Sequence, residues 1–276
     1  MRLVIATVLA ATIAVPAQAA PTNVSAVQST IQYSKTSTGG SGFGNYARAT
    51  STVVYDPVTD TYTLRDTGSL TTKSSFAPAN IDAGASNATF TGYKKTSGST
   101  TETFRLLNKS LTNPLIALSY VTYGQWRRAS TSGSTTAVND TFVVFGQKTP
   151  GASVPNTGSG SYSTVLDGIF VDAAGVYAVS GTGNLTANFG SGTIAYGASA
   201  TGAREDGGTG IVFGAMTGTG SIAFASAGFS GTGTANGSGY RLDVAGFFYG
   251  PAANEVGGTF RLRGNSGNGT GALVGK

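Results

Sequence analysis

Tyr120, Tyr123, Trp126, Arg127 and Arg128 fall within one short stretch, and they are the residue types that anchor interfaces. Aromatic rings bury large areas and guanidinium groups make directed hydrogen bonds, so both dominate binding hot spots. Trp126 is the only tryptophan, and a polar segment at 129–139 follows it. The five form a candidate ligand-binding site. A competing reading packs Trp126 into the junction between two domains, where a large ring serves equally well.

Other chemistry is sparse. The chain has no histidine and no cysteine. That removes the commonest general base and metal ligand, and with them any Ser-His-Asp triad. Glu205-Asp206 lie in a glycine-bounded segment that reads as an exposed turn; Glu102 and Glu255 are the partners a glycosidase pair would need. No spacing brings two of these carboxylates together. Asp56, Asp60 and Asp66 lack the spacing and the bidentate glutamate of a calcium loop, whereas Asp56-Pro57 suits a turn. There is no Gly-x-Ser-x-Gly elbow, and Gly39-Gly40-Ser41-Gly42-Phe43-Gly44 opens no helix that would hold a phosphate. The expectation is a non-enzymatic protein with no catalytic residue, no metal and no cofactor.

Charge points the same way. Lys and Arg number 17 against 12 acidic residues, and the basic residues are scattered, so no nucleic-acid face is expected. Residues 1–19 read as a secretory signal: Arg2 is the positive start, residues 3–15 are apolar, and Ala17-Gln18-Ala19 fits the cleavage rule. The apolar run is too short for a membrane-spanning helix. Lacking cysteine, the protein is expected to carry neither disulfides nor a lipid anchor.

The elements that must position these residues read as strands throughout. Residues 50–65 form the clearest hairpin, with Thr52 to Tyr55 leading into the Asp56-Pro57 turn and Tyr62 and Leu64 leading out. Further strands are expected at 103–107, 115–123 and 141–146, with 129–139 as a loop. The best internal boundary is 147–160, which contains Pro150 and Pro155. From residue 151 onward, 31 of the 42 glycines punctuate short apolar alternations. Strand windows recur around Tyr162, Tyr177, Leu185, 193–196, 211–213, 221–225, 240–248 and 259–263. About eight short strands at that pitch suggest a closed barrel or a sandwich. Tyr240, Leu242 and Val244 share one face opposite Arg241 and Asp243, as in a half-buried strand. An outer-membrane barrel is the alternative, but it needs longer strands and an outward apolar face.

The segment Gly146-Gln147-Lys148-Thr149-Pro150 through Gly158-Ser159-Gly160-Ser161-Tyr162 resembles the start of the barrel domain in transferrin-binding protein B-like proteins. Gly181-Thr182-Gly183-Asn184-Leu185 with Gly192-Thr193-Ile194 is similar to that domain's central strand pair, and 246–260 to its closing segment, with 271–276 its tail. The resemblance implies an all-β protein, with a C-terminal eight-stranded antiparallel β-barrel preceded by a smaller β-rich handle. It assigns 20–147 to the handle and 148–276 to the barrel. It further implies a bacterial envelope or surface protein that binds a host protein, haem or another small solute. Without histidine, His-ligated haem is excluded; tyrosine can ligate haem iron, and the chain holds 12 tyrosines. Without a lipidated cysteine, a periplasmic or released form is expected, or a structural, adhesive envelope protein.

Overall fold

In a computed structural model of the chain, residues 22–36, 45–65, 73–235, 239–264 and 266–276 are described. The signal-like residues 1–19, the glycine run 39–44 and Asp66 lie outside them. Two antiparallel sheets account for the fold.

The handle consists of β1 (Thr22–Thr36), β2 (Asn45–Asp56), β3 (Thr61–Arg65), β4 (Lys73–Phe76), β5 (Phe90–Ser97), β6 (Thr100–Leu107), β7 (Val121–Ser132) and β8 (Thr135–Gly146). Their order is β4-β3-β2-β1-β8-β7-β6-β5, so β1 is central. The sheet rolls until its two edges face each other. Phe76 of β4 stacks on Phe104 of β6 at 5.3 Å and lies 6.1 Å from Tyr93 of β5. Lys95 Nζ on β5 donates to the Ser75 carbonyl on β4 at 3.0 Å. The roll closes around Trp126, which is 3% exposed and donates from Nε1 to Glu102 at 3.1 Å.

The barrel consists of β9 (Ser159–Asp172), β10 (Val176–Asn188), β11 (Thr193–Arg204), β12 (Ile211–Ala223), β13 (Gly228–Ala235), β14 (Arg241–Tyr249), β15 (Glu255–Arg263) and β16 (Gly267–Gly275). It closes where β16 pairs with β9. Inward positions carry apolar residues such as Phe170, Phe213, Phe248 and Phe260, whereas outward positions are rich in threonine, serine and glycine. That is the reverse of a membrane-spanning barrel, whose outer face is apolar. The outer-membrane alternative is therefore corrected by the side-chain pattern. Strand length does not distinguish the two, since β9 to β12 run to 12–14 residues.

Several local expectations shift. The windows at Tyr177 and Leu185 belong to the single strand β10, and those at 211–213 and 221–225 both fall on β12 or its immediate end. The strands β13 and β16 take up the difference. Glycines sit inside strands where a ring or backbone of the neighbouring strand occupies the space. At Gly218 a Cβ would come 2.4 Å from the Tyr196 ring and 2.5 Å from the Thr232 carbonyl. Tyr196 lies across this glycine floor and donates to the Leu242 carbonyl. The expected loop at 129–139 is instead the tip of the β7–β8 hairpin, turned at Gly133 (φ 58°). Its threonines and serines suit a pleated strand without signalling one by apolar alternation. The hairpin at 50–65 stands, with Asp56 Oδ1 accepting from the Val58 amide at 2.9 Å. No helix among the described residues is long and apolar enough to cross a membrane.

Gly218→Ala is expected to lower stability by about 1–3 kcal/mol through overpacking against Tyr196. Gly190→Ala, whose Cβ would meet nothing closer than 3.5 Å, is expected to change it by less than about 0.5 kcal/mol. Urea-unfolding midpoints check both, and equal midpoints would contradict the packing account.

Candidate functional site

The handle and barrel share one apolar core. Ile31, Val121, Tyr123, Phe142 and Val144 of the handle pack with Ile169, Val171, Tyr249 and Val274 of the barrel. Four carboxylates gather at this junction. Glu255, at the start of β15 and 4% exposed, accepts from the backbone amides of Ser119, Tyr120 and Val121 at 2.7, 2.8 and 3.0 Å. These bonds hold the segment before β7 as a loop, which is why the strand expected from 115 begins only at Val121. Asp167 of β9 takes the Tyr123 hydroxyl at 2.7 Å and Arg105 through both oxygens at 2.7 Å. Asp140 of β8, fully buried, takes Tyr33, Gln125 and Arg127 at 2.7–3.1 Å. Arg127 also reaches Glu205 of the barrel at 2.7 Å, and Lys35 pairs with the same carboxylate. Burial pushes the Glu205 carboxyl up, but Arg127 and Lys35 outweigh it and leave it below its ordinary value.

The five residues singled out in the sequence do not meet in one site. On β7 successive side chains alternate between faces. Tyr123 and Arg127 point to the junction, Trp126 points into the handle core, and Arg128 is exposed. The proposed place for Trp126 at the junction is thus corrected by one residue of register: its neighbours Gln125 and Arg127 are the junction residues. Glu102, Glu205 and Glu255 sit in three separate hydrogen-bond networks, so no glycosidase pair forms.

Tyr120 does reach a cleft. About 860 Å³ in volume, it opens at one end of the rolled handle sheet, beside the start of β9's linker. Its walls are Tyr55, Tyr62, Tyr93, Tyr120 and Phe145, with Lys109 and Lys148 at its margin. Tyr55 and Tyr62 are a cross-strand pair in the β2–β3 hairpin with ring centroids 4.8 Å apart. Tyr62 also lies 6.5 Å from Tyr93 and 6.2 Å from Phe145. Asp60, in the left-handed region at φ 49°, accepts from the Tyr55 hydroxyl at 3.0 Å. Burial first, and then the neighbouring phenols and Asp60, raise the Tyr62 hydroxyl far above its ordinary value. Tyr93 is raised by burial and then by Asp60 and Tyr55. At neutral pH the cleft therefore offers neutral phenols and aromatic faces, with two ammonium groups near its mouth. It can stack an apolar body and hold an anionic end. The hairpin tyrosines were visible in the sequence, but their meeting with Tyr93 and Tyr120 depends on the roll of the sheet.

These features define an all-β architecture: a closed eight-stranded barrel beside a nearly closed eight-stranded sheet with an aromatic cleft. The chain has a transferrin-binding protein B-like fold. It aligns with intact Ap-TbpB (N and C lobes) at 15% identity over 89% of this chain and 45% of that one, with a TM-score of 0.50. It is also similar to isotype 1 transferrin-binding protein B from serogroup B Neisseria meningitidis (17% identity, 90% of this chain, 43% of that one, TM-score 0.48). A surface lipoprotein is similar at 13% identity over 90% of this chain and 98% of that one, TM-score 0.45. The chain spans less than half the length of the two transferrin-binding protein B structures. No protein-family profile and no curated protein sequence matches it.

Glu255→Ala leaves three amides of the 119–121 segment without their acceptor, and a loss of about 3 kcal/mol or more is expected. Hydrogen exchange at those amides should accelerate; unchanged protection would refute the assignment. The tyrosines give a second expectation. Burial raises the Tyr62, Tyr123 and Tyr249 hydroxyls, and raises Tyr162 to about 12. A value raised in the folded state contributes stability that is complete below the ordinary 10.0 and is lost as pH climbs above it. The urea midpoint should fall once pH passes about 10, as phenolate absorbance of the unfolded chain rises. A midpoint level to pH 12 would contradict it.

Proposed function

We propose that this chain is an exported, non-catalytic binding protein of the bacterial envelope, and that the handle cleft captures its ligand. The observation that carries this reading is the convergence of Tyr55, Tyr62, Tyr93 and Tyr120 on one open volume of about 860 Å³. Ligand sites are concave, mostly apolar and provided with a few placed polar groups, and this cleft answers that description. Its chemistry suits a small solute with a flat apolar body and an acidic end, of which haem is one. Lys109 and Lys148 would meet the acid groups, and the phenols would face the rest.

Export rests on the signal-like residues 1–19, and a periplasmic or surface location follows from it. With no cysteine in the sequence, no lipid anchor is assigned. A host protein is the second reading, favoured by the names of the proteins that share the fold, which bind transferrin. A surface binding protein of either kind needs no cofactor, nucleic acid or membrane-spanning helix.

Trp126 provides the test. It lies in the same aromatic cluster as Tyr62 and Phe145, so a planar chromophore in the cleft should quench its fluorescence. Haemin and protoporphyrin are expected to quench saturably at one equivalent, and Tyr55→Ala with Lys109→Ala should weaken binding about tenfold or more. Transferrin serves as the parallel arm, read by surface capture. Absence of saturable quenching by either planar probe would end the solute reading, and capture of transferrin without it would favour the host protein.

A further inference from the structure

The outer face of the barrel carries a second feature, remote from the aromatic cleft. On β12 and β13 the outward residues Thr217 and Thr234, Thr219 and Thr232, and Ser221 and Ser230 are directly opposed across the ladder. All six are exposed. They form two hydroxyl rows on neighbouring strands about 4.8 Å apart, repeating every second residue. Two hollows of about 630 and 680 Å³ lie on this floor and share Thr219 and Thr232, so they make one continuous trough.

The wall of the trough is basic. Arg241 bounds the first hollow, and Arg48 of β2 and Arg261 of β15 bound the second. Tyr46 organises the latter two: its hydroxyl accepts from Arg48 Nε at 2.8 Å, and the Arg261 guanidinium stands 4.6 Å over its ring. The acid in the wall, Asp243, is already paired with Arg263 at 2.6 Å. Arg241 lies directly opposite Arg263, so two like charges face one another across β14 and β15, while Asp243 lies opposite Arg261. Like charges so placed disfavour one another, and the one carboxylate beside them, Asp243, is engaged by Arg263. The Nε atoms of Arg261 and Arg263 and one Asp243 oxygen are buried there without a hydrogen-bond partner.

We propose that this trough binds an acidic glycan, its sugar hydroxyls meeting the Thr/Ser floor and its carboxylate or phosphate groups meeting Arg48, Arg241 and Arg261. Guanidinium groups recognise both kinds of acid group through paired hydrogen bonds. A sequence of exposed hydroxyls with no apolar anchor fits a hydrated saccharide better than a protein, whose hot spots need buried rings. A nucleic acid would need a series of exposed stacking platforms, and the rings in the trough lining are Tyr46 and the buried Tyr196.

Titration calorimetry of the full chain with oligogalacturonate, a phosphorylated mannan, neutral dextran of matched length and a single-stranded oligonucleotide tests the proposal. The two acidic glycans separate carboxylate from phosphate recognition. At least one is expected to bind, more weakly as salt rises, with dextran at least about tenfold weaker. Arg241→Ala and Arg48→Ala should each cost about tenfold in affinity, with circular dichroism and melting unchanged. Thr219→Val with Thr232→Val keeps every arginine and should also weaken binding. Lack of binding by both acidic glycans, undiminished affinity in the arginine variants, or equally tight binding of dextran or the oligonucleotide would each overturn it.

Discussion

Glu255 reaches from the barrel into the handle and holds three consecutive amides of the segment that precedes β7. A carboxylate removed from water is tolerable when several N–H groups surround it, and such bonds are stronger than those between neutral groups. This contact fixes where β7 begins. The starting residue then dictates which of its side chains face the barrel and which face the handle core. Tyr123 and Arg127 thereby find Asp167 and Asp140, while Trp126 is sealed on the other side. Tyr120, one residue outside the strand, is left beside the cleft. In a chain without disulfides, the orientation of the two domains depends on this set of buried carboxylates and on the apolar core around them.

The two sheets illustrate what closure does. In the barrel, β16 meets β9 and the interior is filled, with Tyr196 lying over Gly218 and Phe260 over Gly271. A barrel of eight strands has just enough interior for side chains. Buried apolar side chains occupy the inside, and the outer face is left to polar contacts. The handle sheet also has eight strands, but its short β3 and β4 do not complete a ladder to β5. The aromatics that would otherwise be core are only partly covered at the open end, and they become cleft walls. One architecture used twice thus yields a closed barrel and a rolled sheet left open at a cleft.

Part of this was legible in residue order. The 50–65 hairpin announces itself through Asp56-Pro57 and alternating Tyr55, Tyr62 and Leu64, because turn chemistry and strand period are local. The strands β13 and β16 were not, since Gly228–Ala235 and Gly267–Gly275 are built largely from glycine, threonine, serine and alanine. Such residues carry little apolar signal; they suit these positions because a large ring on a neighbouring strand occupies the space. The same cause split β10 and β12 into two windows each, their internal glycines reading as breaks. For the site, the run from Tyr120 to Arg128 looked contiguous, yet a pleated strand sends neighbours to opposite faces.

By itself the sequence determined an all-β chain free of histidine and cysteine chemistry, with a turn-defined hairpin and a glycine-rich second half suited to tight sheet packing. Only the tertiary structure decided which tyrosines share a cleft, which carboxylates bridge the domains and which arginines stand beside a hydroxyl floor. Those groupings join residues far apart in the chain, such as Tyr55 with Tyr120 and Arg48 with Arg261. Strand pairing and sheet curvature create them, and neither is encoded in the spacing of any one segment.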